Sequence, residues 1–374
     1  MLSIILKGTN GCNLACSYCS LGKKNYIQIA DEVKLVDIFR YACKVCEFRK
    51  ENRLLFILHG GEPTLIKTNV YANAIDKVRK EYPNIKMEFS MQTNGLSIND
   101  DLIQFIKKYD IHIGVSIDGS KSIHDSERKS VTNKGTFEKV SGNIIKMLNN
   151  EINVSCLMVL TSNAFKEGYD YLSFFEKWNL HLKVNPLLNY GEVYEHPELS
   201  LKRGQYAKYL IEMYKYIIKK DINISVSPLD KILQGVLSDG KVHECSFNAK
   251  CNQNFLCIDY NGNIYPCGKY SDMGIYKIGN IKDGNLDVMS SPIMIELINR
   301  RTNKLPIKCN KCKFIKMCNA GCNAEASIDG NINDQPLLCH DYKELFAFFH
   351  GEGLIILKEE LLRQKQQEVI NNGV

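Results

Sequence analysis

The sequence predicts an α/β protein in two parts: a parallel sheet of six β/α units curling toward a partial barrel, then a loop-rich, cysteine-rich C-terminal region. Three observations point there. β-branched runs alternate with stretches whose apolar residues recur at helical spacing. The alternation stops after a helical stretch that runs from about Leu201 to Asp221. Most of the 15 cysteines then crowd between Cys245 and Cys339.

The expected strands are Ser3–Lys7, Leu54–His59, Lys86–Gln92, His112–Ile117, Val154–Leu160 and His181–Pro186. Between them lie expected helices at Asp31–Lys50, Thr68–Tyr82, Asn99–Tyr109, Gly135–Asn149 and Asn163–Trp178. Right-handed crossovers of such units give a sheet that closes toward a barrel or stays open, with its chemistry at the C-terminal ends of the strands. Further on, Phe255–Tyr260 and Asn263–Pro266 joined by Asn261-Gly262 read as a β-hairpin. An amphipathic stretch from Asp341 to about Gln367 ends the ordered pattern. The expected boundaries are a barrel at 1–200, a helical bridge at 201–240, a cysteine-rich domain at 241–345 and a C-terminal helix at 346–374.

With 374 residues, 44% hydrophobic and 24% charged, the composition is ordinary globular and excludes collagen-like or wholly disordered chains. The excess of basic over acidic residues is small and dispersed, so charge alone gives no reason to expect a nucleic-acid partner. No apolar run reaches the ~18 residues of a membrane span, and the N-terminus lacks a secretory core. The expected place is therefore the cytoplasm, with no membrane partner. A reducing compartment favours metal or cluster ligation over disulfides for so many cysteines.

Cys12-Asn-Leu-Ala-Cys16-Ser-Tyr-Cys19 is a C-x3-C-x2-C triplet in the loop after the first strand. Three thiolates can hold three irons of a [4Fe–4S] cube and leave the fourth open, whereas a structural zinc or cluster site is closed by a fourth ligand. His59-Gly60-Gly61-Glu62-Pro63-Thr64-Leu65 follows the second strand; glycines permit close backbone approach, and a carboxylate with exposed carbonyls suits an ammonium group. Gln92-Thr93-Asn94-Gly95 ends the third strand and Ser116-Ile117-Asp118-Gly119 the fourth, followed by His124, Asp125 and Arg128.

Together the triplet and the Gly-Gly-Glu-Pro turn resemble the radical S-adenosylmethionine (SAM) enzymes. The resemblance implies that Cys12, Cys16 and Cys19 hold a [4Fe–4S] cluster whose open iron binds SAM. It further implies that a 5′-deoxyadenosyl radical removes a substrate hydrogen, and that Tyr18 lies against adenine. Gly60, Gly61, Glu62 and Pro63 would meet the methionine moiety, and Asn94, Ser116, Asp118 and Arg128 the ribose and carboxylate.

The string Cys309-x2-Cys312-x5-Cys318-x3-Cys322, then Cys339, with Cys251, Gly262 and Cys267 upstream, resembles the SPASM domain, which binds two auxiliary [4Fe–4S] clusters. By that likeness the first takes Cys245, Cys251, Cys267 and Cys322, and the second Cys309, Cys312, Cys318 and Cys339. Cys257 is left as a core residue or as a replacement for Cys245. Cys43, Cys46 and Cys156 read as core.

Enzymes of this kind mostly act on peptides or proteins. One reading is maturation of a ribosomally made precursor peptide, forming an intramolecular thioether or carbon–carbon cross-link. The alternative is an anaerobic sulfatase-maturating enzyme that makes formylglycine. In such maturases an Asp follows the hairpin cysteine as base and a Gln often precedes the Gly-Gly-Glu-Pro turn, while this chain has Gly268 and His59. The precursor-peptide reading is therefore ranked first here. The chain begins at the first barrel strand, so a leader would be held by its own surfaces or by a separate leader-binding protein. The chemistry also calls for an electron donor such as a flavodoxin or ferredoxin. An RNA-modifying enzyme would need a recognisable RNA-binding module, and an electron carrier would need no open iron.

Overall fold

The computed structural model describes residues 1–22, 26–328 and 331–371, with side chains through residue 366. Residues 23–25 of the expected barrel, 329–330 of the cysteine-rich domain and 372–374 of the C-terminal helix lie outside the described residues.

All six expected strands form: β1 (Leu2–Lys7), β2 (Arg53–His59), β3 (Lys86–Thr93), β4 (His112–Ser116), β5 (Val154–Leu160) and β6 (His181–Pro186). They pair in parallel in chain order, and a two-residue β7 (Val226–Ser227) adds to β6. The hairpin strands β8 (Phe255–Asp259) and β9 (Asn263–Tyr265), with β10 (Gly279–Asn280), extend the same sheet beyond β1. Among the described residues the result is one open 10-stranded sheet, consistent with the expected partial barrel, and the hairpin continues that sheet. Because β8 runs parallel to β1, with Ile5 opposite Cys257, the cysteine-rich region is hydrogen-bonded to the barrel's first strand.

Helices α1 (Glu32–Phe48), α2 (Thr68–Glu81), α3 (Asp100–Tyr109), α4 (Lys121–Glu127) and α5 (Phe137–Leu148) connect the strands up to β5. Asp31 and Asn99 cap α1 and α3 through their side chains, which explains why those residues read as helix starts. The helix expected over Asn163–Trp178 breaks into a 3-10 turn at Ser162–Lys166 and a short α6 (Leu172–Lys177), consistent with Gly168 between them. α7 (Gln205–Lys220) and α8 (Leu229–Leu237) bridge to the C-terminal region. There, short helices α9 (Cys251–Asn254), α10 (Gly268–Met273), α11 (Pro292–Arg301), α12 (Ile307–Asn310), α13 (Ile315–Cys318) and α14 (Asn323–Ser327) replace the expected loops. The final amphipathic stretch divides into α15 (Cys339–Phe349) and α16 (Glu352–Asn371).

Alternation along the strands separates two faces. Leu2, Ile4, Leu6, Leu54, Phe56, Leu58, Met87, Phe89 and Met91 are buried on one face, under the helices. There Phe56 meets Phe39 edge-on at 4.7 Å and stacks on Phe89 at 5.6 Å. The other face carries Lys7, His59, Ser90, Gln92, Ser116, Lys183 and Asn185, a polar lining where a packed core would be apolar.

Asp341, 2% exposed on α15, accepts hydrogen bonds from the Gly204 and Ala207 backbone N–H groups at 3.1 Å each. It caps α7 from a distant part of the chain and so docks the C-terminal helices. Among the described residues no helix is long and apolar enough to cross a membrane. Asp341→Ala should leave one buried and one half-buried donor unsatisfied and lower unfolding stability by about 1–3 kcal/mol, read as a fall in denaturant midpoint with the m-value unchanged.

Candidate active site

The triplet loop leaves β1 and passes beneath the turn that follows β2. Gly61 N–H donates to Thr9 O and Glu62 N–H to Gly11 O, both at 2.8 Å. No side chain fits at this crossing: a Cβ on Gly61 would lie 2.0 Å from Gly11 O, and one on Gly60, whose φ is +141°, 2.7 Å from Thr9 O. The paired glycines thus serve close approach to the cysteine loop, where the sequence suggested approach to a ligand. Pro63 opens the 3-10 turn that follows.

Glu62 is 1% exposed, and its carboxylate accepts from Thr64 N, Thr64 Oγ1, Thr93 Oγ1 and Asn94 N at 2.6–3.1 Å. Burial raises its pKa against these bonds. It braces the β2 and β3 turns. Asn94 Nδ2 then lies 3.6 Å from Cys12 Sγ and 2.7 Å from Asn13 Oδ1.

Cys12, Cys16 and Cys19 line one cavity of about 850 Å³, together with Glu127, Lys129 and Asn163. Burial pushes all three thiols up, Cys16 to about 12; neighbouring thiols add to this at Cys12 and Cys16, and Asp272 at Cys19. Three thiolates facing one cavity are stable only against positive charge, which is the charge state a metal cluster supplies.

Tyr18 is buried, its hydroxyl bonded to Asp118 and to the Arg128 guanidinium. Asp118 is fully buried; its other oxygen accepts from Val159 N at 2.9 Å, so it ties β4 to β5 and does not line the cavity. Arg128 Nη1 lies 3.6 Å from Asp118, whereas its buried Nε has no partner. Like Asp118, Arg128 does not line the cavity, but its orphaned guanidinium N–H is of the kind that binds a carboxylate. Ser116 at the end of β4 accepts from Gln92 Nε2 at 3.1 Å. His124, fully buried against Thr136 and held neutral by burial with its pKa near 4, is structural.

The C-terminal cysteines fall into two groups. Cys245, Cys251, Cys267 and Cys322 lie in one another's electrostatic field. Cys245 interacts with Cys251, and this interaction, with Lys183 and Lys269, lowers its pKa while raising that of Cys251. Lys269 Nζ sits 3.8 Å from Cys322 Sγ and 3.6 Å from Glu325 Oε1. Cys309, Cys312, Cys318 and Cys339 line a second, small cavity closed by Phe314 and Phe346. Among the described residues no three His, Cys, Asp or Glu side chains are arranged to hold a single metal ion. Cys257 points into the core with no exposed surface, as do Cys43 and Cys46, while Cys156 is 2% exposed.

Sequence reasoning missed Glu127, the last residue of α4, where an acid opposes the helix dipole. It is 1% exposed; Oε1 accepts from Thr161 and Asn163, and Oε2 has no partner. Burial, then the charge of Asp118, raises its pKa from 4.5 to about 7. A carboxyl raised on folding favours the folded state at low pH and withdraws that support as pH climbs from about 4.5 to 7, a loss of about 3 kcal/mol. Glu127→Gln should remove this part of the slope, so the variant should gain midpoint on wild type between pH 5 and pH 8 in urea unfolding.

Comparison with known proteins agrees with this geometry. Residues 6–167 match the Radical SAM superfamily, and residues 245–313 match SPASM, the iron–sulfur cluster-binding domain. A cysteine-type anaerobic sulfatase-maturating enzyme of Clostridium novyi (strain NT) is 29% identical over 92% of this chain and 94% of its own. A serine-type enzyme of Bacteroides thetaiotaomicron is 23% identical over 95% of this chain and 90% of its own. The solved structure of native anSMEcpe with bound AdoMet superposes with a TM-score of 0.81 at 25% identity, covering 96% of this chain and all (100%) of that one. Streptococcus suis SuiB bound to precursor peptide SuiA shares the fold at a TM-score of 0.65 and 16% identity, over 90% of this chain and 75% of SuiB. The chain thus carries a radical SAM domain over residues 6–167 and a SPASM iron–sulfur cluster-binding domain over residues 245–313.

Proposed function

We propose that this radical SAM/SPASM enzyme oxidises a cysteine side chain of a peptide or protein substrate to an aldehyde, as a sulfatase-maturating enzyme does. The observation that carries the reading is the nearly end-to-end alignment with proteins named for that activity. This reverses the order in which sequence alone ranked the two readings.

In this reading Cys12, Cys16 and Cys19 hold the cluster with an open iron. Cys245, Cys251, Cys267 and Cys322 hold the first auxiliary cluster, and Cys309, Cys312, Cys318 and Cys339 the second. When bound, the cluster on Cys12, Cys16 and Cys19 together with SAM would supply a 5′-deoxyadenosyl radical that takes a hydrogen atom from the substrate. Arg128 Nε receives the SAM carboxylate, with Ser116 and Asn94 at neighbouring strand ends. Glu62 and Asp118 act from behind, by holding Asn94 and Tyr18. The grouped thiols, from exposed Cys245 to buried Cys309 and Cys339, and the lysines beside the first four suit cluster ligation, because hydrogen bonds and charge at the sulfurs set a cluster's potential.

Gly268 keeps a second reading in view. The absence of a carboxylate directly after Cys267 is the feature that favours cross-linking of a precursor peptide, served by a flavodoxin- or ferredoxin-like donor and a leader-binding partner.

Anaerobically reconstituted protein should carry about 12 iron per chain, three cubes of about four each. Cys245→Ala should lose about four of these and Cys257→Ala none, as iron assay and EPR would read. On a cysteine-containing sulfatase-motif peptide, mass spectrometry should find the aldehyde. Loss of about 2 Da from an encoded partner peptide, with the sulfatase peptide untouched, would return the cross-linking reading to first place.

A further inference from the structure

Among the buried polar groups that the mechanism above leaves unused, one ion pair lies between the triplet loop and the first four-cysteine group. Lys7, the only charged residue of β1, is 3% exposed at the strand's C-terminal end. Its ammonium donates to Gly268 O at 3.0 Å and to Asp272 Oδ1. Asp272 Oδ2 accepts from Ser20 Oγ at 3.0 Å, and Ser20 directly follows Cys19. The Asp272 field reaches Cys19 on one side, and reaches Tyr190, which itself faces Lys269, Cys267 and Cys322, on the other. His59, on the polar face of the sheet, feels both Lys7 and Asp272.

Asp272 is therefore a carboxylate held from both ends between the two cysteine sites, with 10% of its side chain still open. It lies four residues beyond Gly268 on α10, on the same helical face. We infer that Asp272 is the proton acceptor for substrate oxidation in this enzyme.

The inference rests on the oxidation proposed above. Removal of a hydrogen atom from the cysteine Cβ leaves a carbon radical beside the thiol. A C=S bond then forms as the S–H bond breaks: the proton passes to the Asp272 carboxylate and one electron leaves to an iron–sulfur cluster as oxidant. Water converts the thioaldehyde to aldehyde with release of hydrogen sulfide. Lys7 and Ser20 fix the carboxylate, and Lys7 compensates its charge before the proton arrives.

The test uses reconstituted full-length enzyme and a cysteine sulfatase-motif peptide deuterated at Cβ. Asp272→Asn should still pass deuterium into 5′-deoxyadenosine and bind peptide within about threefold of wild type by calorimetry without reductant. Its aldehyde yield should fall by about 100-fold or more, the scale of a lost general base. The second variant moves the carboxylate one turn back. A Cβ on Gly268 meets nothing closer than 3.6 Å, the Ile5 methyls and Lys7 Cε. Gly268→Asp combined with Asp272→Asn should therefore recover aldehyde while leaving the iron content unchanged. Aldehyde from Asp272→Asn within about threefold of wild type would overturn the assignment and leave the oxidation reading intact. Joint loss of deuterium transfer, peptide affinity and aldehyde, with no recovery in the double variant, would make Asp272 structural and also overturn it. A wild-type enzyme that forms no aldehyde would overturn the oxidation reading itself, and this inference with it.

Discussion

Two backbone hydrogen bonds, Gly61 to Thr9 and Glu62 to Gly11, fix the cysteine loop against the second strand, and the site is built outward from them. Their 2.8 Å length requires the chains to cross where no Cβ can stand. The crossing sets where Cys12 points, and Glu62 carries the constraint onward by gathering Thr64, Thr93 and Asn94 onto one carboxylate. Asn94 closes the circuit by donating to Cys12 Sγ. A rigid wall of N–H groups around thiols costs less to load with a charged cluster than a loop that must order first.

Burial of charge organises the rest. Most of the grouped thiols are disfavoured as thiolates by burial, and the chain places fixed cations beside them: Lys269 at Cys322, Lys183 near Cys245, Arg128 near Cys16. Each cation has its own acidic partner, Glu325, Glu244 and Asp118 respectively, so the polar face is nearly neutral pair by pair. Lys7 and Asp272 form the pair at the seam between the two parts of the molecule.

That seam exists because the sheet does not end at β1. The parallel pairing of β8 with β1 brings Cys267 and α10 to the open end of the first strand, beside the loop that holds Cys19. A hairpin folded on its own would leave the two cysteine regions free to move apart. Asp341 performs the matching task at the other edge, where α15 caps α7.

The local pattern was legible in the amino-acid order: six strands, the capped helices at Asp31 and Asn99, and the loop of Cys12, Cys16 and Cys19, while the division of the later cysteines came only from the resemblance to the SPASM domain. Periodicity, caps and ligand spacing are short-range properties, and a linear reading reaches them. Gly168 broke an expected helix because a weak periodic signal spanned two short elements. Long-range facts lay beyond that reading. Nothing near Glu127 announces its burial beside Asp118, and nothing near Lys7 announces a partner 265 positions away. The absence of a carboxylate at Gly268 looked decisive in the sequence because only adjacent positions can be compared there. Helix geometry carries Asp272 back to the same face one turn later, and strand pairing carries both to Lys7. Residue types and their spacing determined the chemistry this chain can hold; which carboxylate stands between its cysteine sites was decided only by the folded sheet, since proximity across the chain is set by packing.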